Sequence, residues 1–258
     1  MNSILGGVIF FVFGLIFGSF LNVCIYRIPR GESIVWPPSH CPVCKTPIRP
    51  IDNIPVISYI FLGGKCRTCH TRISWRYPMV ELLTGGTFAA IFWKFGFSRE
   101  TLAFSILAIL LIVISFIDID YRLILNKITL PGILLGGIVT IGLRVLTYKQ
   151  ALLGLAVGGG GLLLVALLGG ALFGKESMGM GDIKLAAMIG IFLGVQGTAF
   201  ALFAAFFIAA LFSFGAMALK KATRKSQIPF GPFLAIGTFV YLLWGEQVIH
   251  WYIHMVLS

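Results

Sequence analysis

Nine carboxylates in 258 residues make every acidic position informative. Three of them, Asp118, Asp120 and Asp182, lie where apolar runs end or begin. Asp118 and Asp120 close the run in Phe116-Ile117-Asp118-Ile119-Asp120-Tyr121-Arg122. Asp182 opens another in Gly179-Met180-Gly181-Asp182-Ile183-Lys184-Leu185. A carboxylate at a membrane boundary is costly unless it is paired, hydrated or useful. For a single aspartate, an interfacial role answering Arg122, Lys127 or Lys184 suffices. Two converging on one leaflet, one of them behind a Gly-x-Gly, point to function. Such a pair can run peptide hydrolysis, because like charges at close range share one proton. The ionised member takes a proton from water, and the protonated member hydrogen-bonds the scissile carbonyl. Gly179 and Gly181 would let backbone approach an extended substrate closely. Asp182 also starts a helix, whose dipole favours an anion, which makes it the more acidic candidate. Asp120 is either a support for Asp118 or solvated. Lys184, two residues beyond Asp182, reads as a head-group anchor.

The second constellation is Cys41-Pro42-Val43-Cys44 and Cys66-Arg67-Thr68-Cys69, two C-x-x-C units at a spacing close to a zinc ribbon. Each pair sits in a turn that aims two thiolates at one centre, and a tetrahedral Zn²⁺ satisfies four. Lys45, Lys65 and Arg67 should favour thiolate and offset the charge of the site. Four sulfurs leave no open coordination position, so the zinc is structural. His40 and His70 flank the ligands as bystanders, and Cys24 reads as a packed apolar residue. Five cysteines, an odd number, argue against a closed disulfide framework.

These residues must be positioned by a membrane protein. Apolar residues make up 58% of the chain and charged residues 11%, and the mean hydropathy is +0.98. A soluble enzyme and a disordered chain are both excluded by those figures. Net charge is +11. In a membrane protein that excess belongs to cytoplasmic loops facing anionic lipid, so no nucleic-acid partner is expected. The expected fold is an all-α polytopic membrane protein with about eight spans, at 4–25, 78–95, 100–117, 131–148, 151–173, 183–196, 198–219 and 231–250. Residues 1–25 form the first transmembrane helix, a retained span and not a cleaved signal. Residues 26–77 form a zinc-ribbon-like cytoplasmic insert, and residues 78–258 a transmembrane block carrying the aspartates. The insert holds seven of the eleven prolines and builds a poor core, so a metal clamp suits it. The short span at 183–196 must be tilted, broken or shielded. The glycines at 154, 158–161, 169 and 170 suggest close helix packing, or else a yielding wall that admits a substrate helix.

Parity fixes an orientation. If the insert is cytoplasmic, so are the loops at 118–130, 174–182 and 220–230. Those regions with Lys184 hold 16 of the 20 basic residues, leaving Lys94, Arg99, Arg144 and Lys149 opposite. The positive-inside rule therefore puts both termini outside and Asp118 and Asp182 near the cytoplasmic surface.

The chain resembles the type IV prepilin leader peptidase family, bacterial membrane aspartic proteases of the G-x-G-D type. The resemblance runs through Gly18-Ser19-Phe20-Leu21-Asn22-Val23, Arg27 to Pro29, the cysteine pairs, and Ser74 to Pro78 with Glu81. It continues through Asp118-Ile119-Asp120, Gly179 to Leu185, and Pro229-Phe230-Gly231-Pro232-Phe233-Leu234. Asn126 stands where family members often have Asp. The resemblance implies that Asp118 and Asp182 are catalytic, and that a short basic leader is cut from prepilins or pseudopilins of type IV pili and type II secretion. It also implies N-methylation of the new terminus with S-adenosylmethionine, for which no residue suggests a pocket. A pilin helix of about 20 apolar residues fits between spans with its leader at the cytoplasmic surface. A basic leader meets a basic protein, so local acids or the apolar helix must supply the attraction. Two rivals remain: a G-x-G-D protease that cleaves within some other membrane helix, and a non-catalytic zinc-bearing transporter or assembly adaptor. The sequence leaves the oligomeric state unknown.

Overall fold

The computed structural model describes residues 3–173, 178–219 and 228–257. The expected cytoplasmic loops at 174–182 and 220–230 lie partly outside them, with Lys175, Glu176, Lys220, Lys221, Arg224 and Lys225. Among the described residues the regular structure is helical, with no strand. The helices are α1 Ser3–Arg27, α2 Ile57–Phe61, α3 Arg76–Phe95, α4 Arg99–Tyr121, α5 Asn126–Gly142, α6 Tyr148–Phe173, α7 Met180–Ala218, α8 Gly231–Val240 and α9 Glu246–Leu257. A π-helical stretch, Tyr241–Gly245, joins the last two. Five helical segments are long and apolar enough to cross a membrane: Ser3–Arg30, Arg99–Tyr121, Tyr148–Leu172, Met180–Ala218 and Gly231–Met255. α5 is a shorter apolar helix. The apolar runs expected to span are helical, except that the run 131–148 leaves the helix at Gly142 and turns over residues 143–147.

The chain forms two compact units, residues 1–101 and 102–258. The first contains α3 as well as the expected first helix and insert. Small residues explain why α1 and α3 associate. A Cβ on Gly14 would stand 2.6 Å from the Cα of Gly85, and one on Gly18 2.7 Å from the Cα of Glu81. Backbones that approach this closely gain dispersion contact where lipid offers no hydrophobic drive. Asn22 ties the pair further, donating from Nδ2 to the Tyr77 carbonyl at 3.1 Å.

In the second unit, α6 and α7 meet in the same way. A side chain at Gly154 would collide with the Gly190 carbonyl, and one at Gly158 with the Ala186 carbonyl. Residues 154 and 158 on one helix thus oppose 186 and 190 on the other, two small-xxx-small rows in register. Packing is therefore the role of these two glycines. Gly160 faces open space instead.

The expected spans 183–196 and 198–219 are two helices within α7 that meet at a break at Gly194, where φ is 69° and ψ is −172°. Only glycine takes that conformation without strain. A break inside an apolar helix frees carbonyls that lipid cannot satisfy. Hydroxyls take them up: Thr198 donates to the Gly194 carbonyl at 2.5 Å, and Thr140 of α5 reaches the Ile191 carbonyl at 3.2 Å.

Replacing Gly154 with Leu should overpack the α6–α7 contact at a cost of about 1–3 kcal/mol or more. Gly160→Leu, at an open position, should leave stability near that of the parent. Thermal unfolding of the two purified variants in detergent checks the difference.

Candidate active site and metal centre

The insert folds as two matching knuckles. In the first, the Cys41 amide donates to the Thr46 carbonyl at 3.0 Å and the Lys45 amide to the Cys41 carbonyl at 2.9 Å. In the second, the Cys66 amide donates to the Thr71 carbonyl at 2.8 Å and the His70 amide to the Cys66 carbonyl at 3.0 Å. Lys45 and His70 hold the corresponding positive φ, 59° and 57°. Single antiparallel bridges, His40 to Pro47 and Lys65 to Arg72, stand where a fuller ribbon would have strands. The four sulfur atoms of Cys41, Cys44, Cys66 and Cys69 lie within 4.8 Å of one another. Cys41 Sγ is 3.8 Å from Cys69 Sγ, and Cys44 Sγ is 3.9 Å from Cys66 Sγ. With Zn–S bonds near 2.3 Å, the edge of a ZnS₄ tetrahedron is about 3.8 Å. The donor set and its size therefore fit a closed metal site.

The thiols are tuned by their own loops. The Thr71 backbone N–H and hydroxyl hold Cys69 down to about 6, and the Thr46 hydroxyl and N–H lower Cys44. Arg67 was expected to act on the thiolates. It instead forms a two-pronged pair with Asp52, Nε to Oδ2 at 2.8 Å and Nη2 to Oδ1 at 2.5 Å. That pair staples the second knuckle to the Pro50–Asn53 turn. His40 turns away from the sulfurs, its Nδ1 lying 3.1 Å from the Pro38 carbonyl.

Glu81 of α3 has a role that its position in an apolar helix does not reveal. It is 7% exposed, and its Oε2 accepts the Val56 N–H at 2.7 Å. Val56 has φ 60° and ψ −48°, a γ-turn closed by the Ile57 amide on the Pro55 carbonyl. That turn is strained for a β-branched residue. Glu81 thus holds the insert in a conformation it would not adopt unaided.

In the second unit, Asp118 lies at the last turn of α4 and is 5% exposed. Its Oδ2 accepts the Gly231 N–H at 2.9 Å, so the carboxylate caps the N-terminus of α8. A Cβ on Gly231 would stand 2.9 Å from the same oxygen, so glycine makes room for it. Pro232 follows, where a missing N–H does no harm. Sequence reasoning carried Pro229 to Leu234 only as part of a resemblance; Gly231 is the functional residue it missed.

Asp182 lies half-buried in the first turn of α7, its amide donating to the Gly179 carbonyl at 3.1 Å. Among the described residues, Asp118 is the charged group whose field acts on it. Both carboxylates therefore sit at helix starts, and the dipole argument does not distinguish them. Gly179 is exposed, and a Cβ there would stand 3.3 Å from the Asp182 carboxylate. Gly181 differs: a Cβ there would press on Ile124 at 2.7 Å, so it serves packing against the loop after α4. Asp120 is exposed, and a residue two positions from Asp118 does not share its face of the helix. Lys184 was expected to anchor in head groups. It donates to Asn126 Oδ1 at 2.8 Å, joining the starts of α5 and α7.

Residues 12–95 match the bacterial peptidase A24 N-terminal domain and residues 105–214 the type IV leader peptidase family. The chain is 37% identical to a prepilin leader peptidase/N-methyltransferase of Bacillus subtilis, over 97% of this chain and 99% of that one. Proteins of the same name from Neisseria gonorrhoeae and Pseudomonas aeruginosa are each 35% identical, covering 94% and 93% of this chain and 93% and 91% of theirs. No solved structure matches. The helical membrane-type fold with two helix-end aspartates defines a polytopic protein with an acid pair. The chain belongs to the type IV leader peptidase family.

Two outcomes are expected. Freshly purified protein should carry one zinc per chain by metal analysis, and Cys66→Ser should lose it and destabilise the insert. Gly231→Ala should displace the Asp118 carboxylate and cost about 1–3 kcal/mol of stability, read by thermal unfolding.

Proposed function

We propose that this chain is a membrane aspartic endopeptidase that removes the short basic leader from type IV prepilins or pseudopilins and methylates the new N-terminus. The observation that carries the reading is Asp118, buried, bonded to the Gly231 amide and acting electrostatically on Asp182. Membership of the family and the names of the relatives point the same way.

In this reading Asp118 and Asp182 share one proton and titrate as a pair. The ionised carboxylate draws a proton from a water as it attacks the scissile carbonyl. The protonated one donates a hydrogen bond to that carbonyl oxygen and stabilises the developing oxyanion. The Gly231 amide keeps the Asp118 carboxylate oriented. Exposed Gly179 leaves room for an extended substrate backbone beside Asp182. The peptidase chemistry belongs to the 78–258 block, and residues 26–77 are its metal-clamped insert.

The protein is a multi-pass protein of the bacterial inner membrane, embedded in lipid with its active site facing the cytoplasm and its termini outside. Basic residues concentrated on one side support that orientation. Cys41, Cys44, Cys66 and Cys69 hold a structural zinc, which supplies folding energy to a proline-rich insert. A bound S-adenosylmethionine would supply an electrophilic methyl group for the new terminal amine.

The purified protein, incubated with a prepilin and labelled S-adenosylmethionine, should yield a shortened product with a methylated N-terminus by mass analysis. Asp118→Asn and Asp182→Asn should each lower cleavage by roughly 10²–10⁴-fold, the range for general acid–base groups, while zinc content stays intact. Full cleavage by a folded Asp182→Asn protein refutes the dyad.

A further inference from the structure

The first compact unit contains a cleft of about 280 Å³. Ser19, Phe20 and Arg27 of α1 line it, together with Val35, Pro37 and Asn53 of the insert. Its size is near the lower end for small-molecule pockets, roughly 300–1,000 Å³, and its walls present polar groups and apolar side chains in equal measure.

Arg27 sets the chemistry. It is 7% exposed, and among the described residues its side-chain bond runs from Nη1 to the Ser33 carbonyl at 2.8 Å, with no ion pair. A guanidinium carries five donors, and a cation this buried is costly without an anion. The cleft therefore lacks a negative group that a ligand can bring. A carboxylate matches the planar fork of Arg27 best.

Glu81, outside the cleft lining, is equally buried and accepts the Val56 amide, and it makes no ion pair among the described residues. The strained turn at Val56 directly follows Pro55, another wall residue. Strain of this kind persists where surrounding structure enforces it, and it gathers at ligand clamps. A ligand with an anionic end and a flat apolar body complements the cleft lining.

We infer that this cleft binds the methyl donor, S-adenosylmethionine, with Arg27 receiving its carboxylate, an inference that rests on the methylation proposed above. The donor's amino-acid end carries the carboxylate. Its purine suits the apolar wall of Phe20, Val35 and Pro37. Ser19 and Asn53 supply hydrogen bonds for its remaining polar groups. Arg27 is here a donor-binding residue and has no part in peptide hydrolysis.

Binding of labelled S-adenosylmethionine to the purified full-length protein tests this by equilibrium dialysis, with ultraviolet cross-linking to map the contact. Arg27→Met should weaken binding at least tenfold, and so should Val35→Asp, which puts a negative charge at a rim position that is 83% exposed. Zinc content reports folding in both. Cross-links should map to residues 16–55. If wild type binds the donor while both zinc-loaded variants bind it equally well, or if cross-links fall within 102–258, the cleft assignment is overturned. Should Arg27→Met lose its zinc, Val35→Asp and the cross-link map decide alone. Failure of the wild type to bind the donor at all overturns the methylation reading along with the cleft.

Discussion

A carboxylate at the end of an apolar helix needs hydrogen-bond donors from the protein itself, because the surrounding lipid has none. Asp118 meets that need with one backbone amide, that of Gly231, 113 residues further along the chain. The bond satisfies an acceptor on α4 and a donor at the start of α8 together. It requires an unsubstituted Cα at 231, since any side chain would push the oxygen away. Once α8 is capped by Asp118, one member of the acid pair is fixed relative to the helix behind it. Asp182, in the first turn of α7, then comes under its influence.

The same scarcity of polar partners shapes the rest of the molecule. Freed carbonyls near the α7 break are taken up by threonine hydroxyls from α7 and α5. In the first unit, Glu81 supplies the acceptor that a strained turn needs, and Asp52 supplies the partner for Arg67. Where no polar group is present, association depends on glycines that let backbones touch, between α1 and α3 and between α6 and α7. A proline-rich insert without much core is closed by four sulfurs set at the corners of a tetrahedron.

Much of this was legible in residue order because side-chain type and spacing carry it. Paired cysteines at C-x-x-C spacing announce a metal centre, and lone acids at the ends of apolar runs announce themselves by their cost. The apolar runs placed the helices to within a few residues. The partners of those groups were not legible. A backbone amide such as that of Gly231 has no side-chain signature. Arg67 looked like a thiolate neighbour because Asp52, its true partner, lies 15 residues away across a turn. Lys184 looked like a lipid anchor because Asn126 is distant in sequence. The spans expected at 183–196 and 198–219 meet at Gly194, whose backbone angles have no signature in residue order.

That break divides α7 into two very different rods. From Leu185 to Gly194 every residue is buried, so this half is sheathed in protein on all sides. Beyond it, Phe203, Phe207, Leu211, Phe212 and Phe214 are exposed, as suits a surface in contact with acyl chains. Variation in bilayer thickness or fluidity is thus felt directly by the outer rod alone. The inner rod, with Asp182 at its tip, is mechanically insulated from the lipid it crosses.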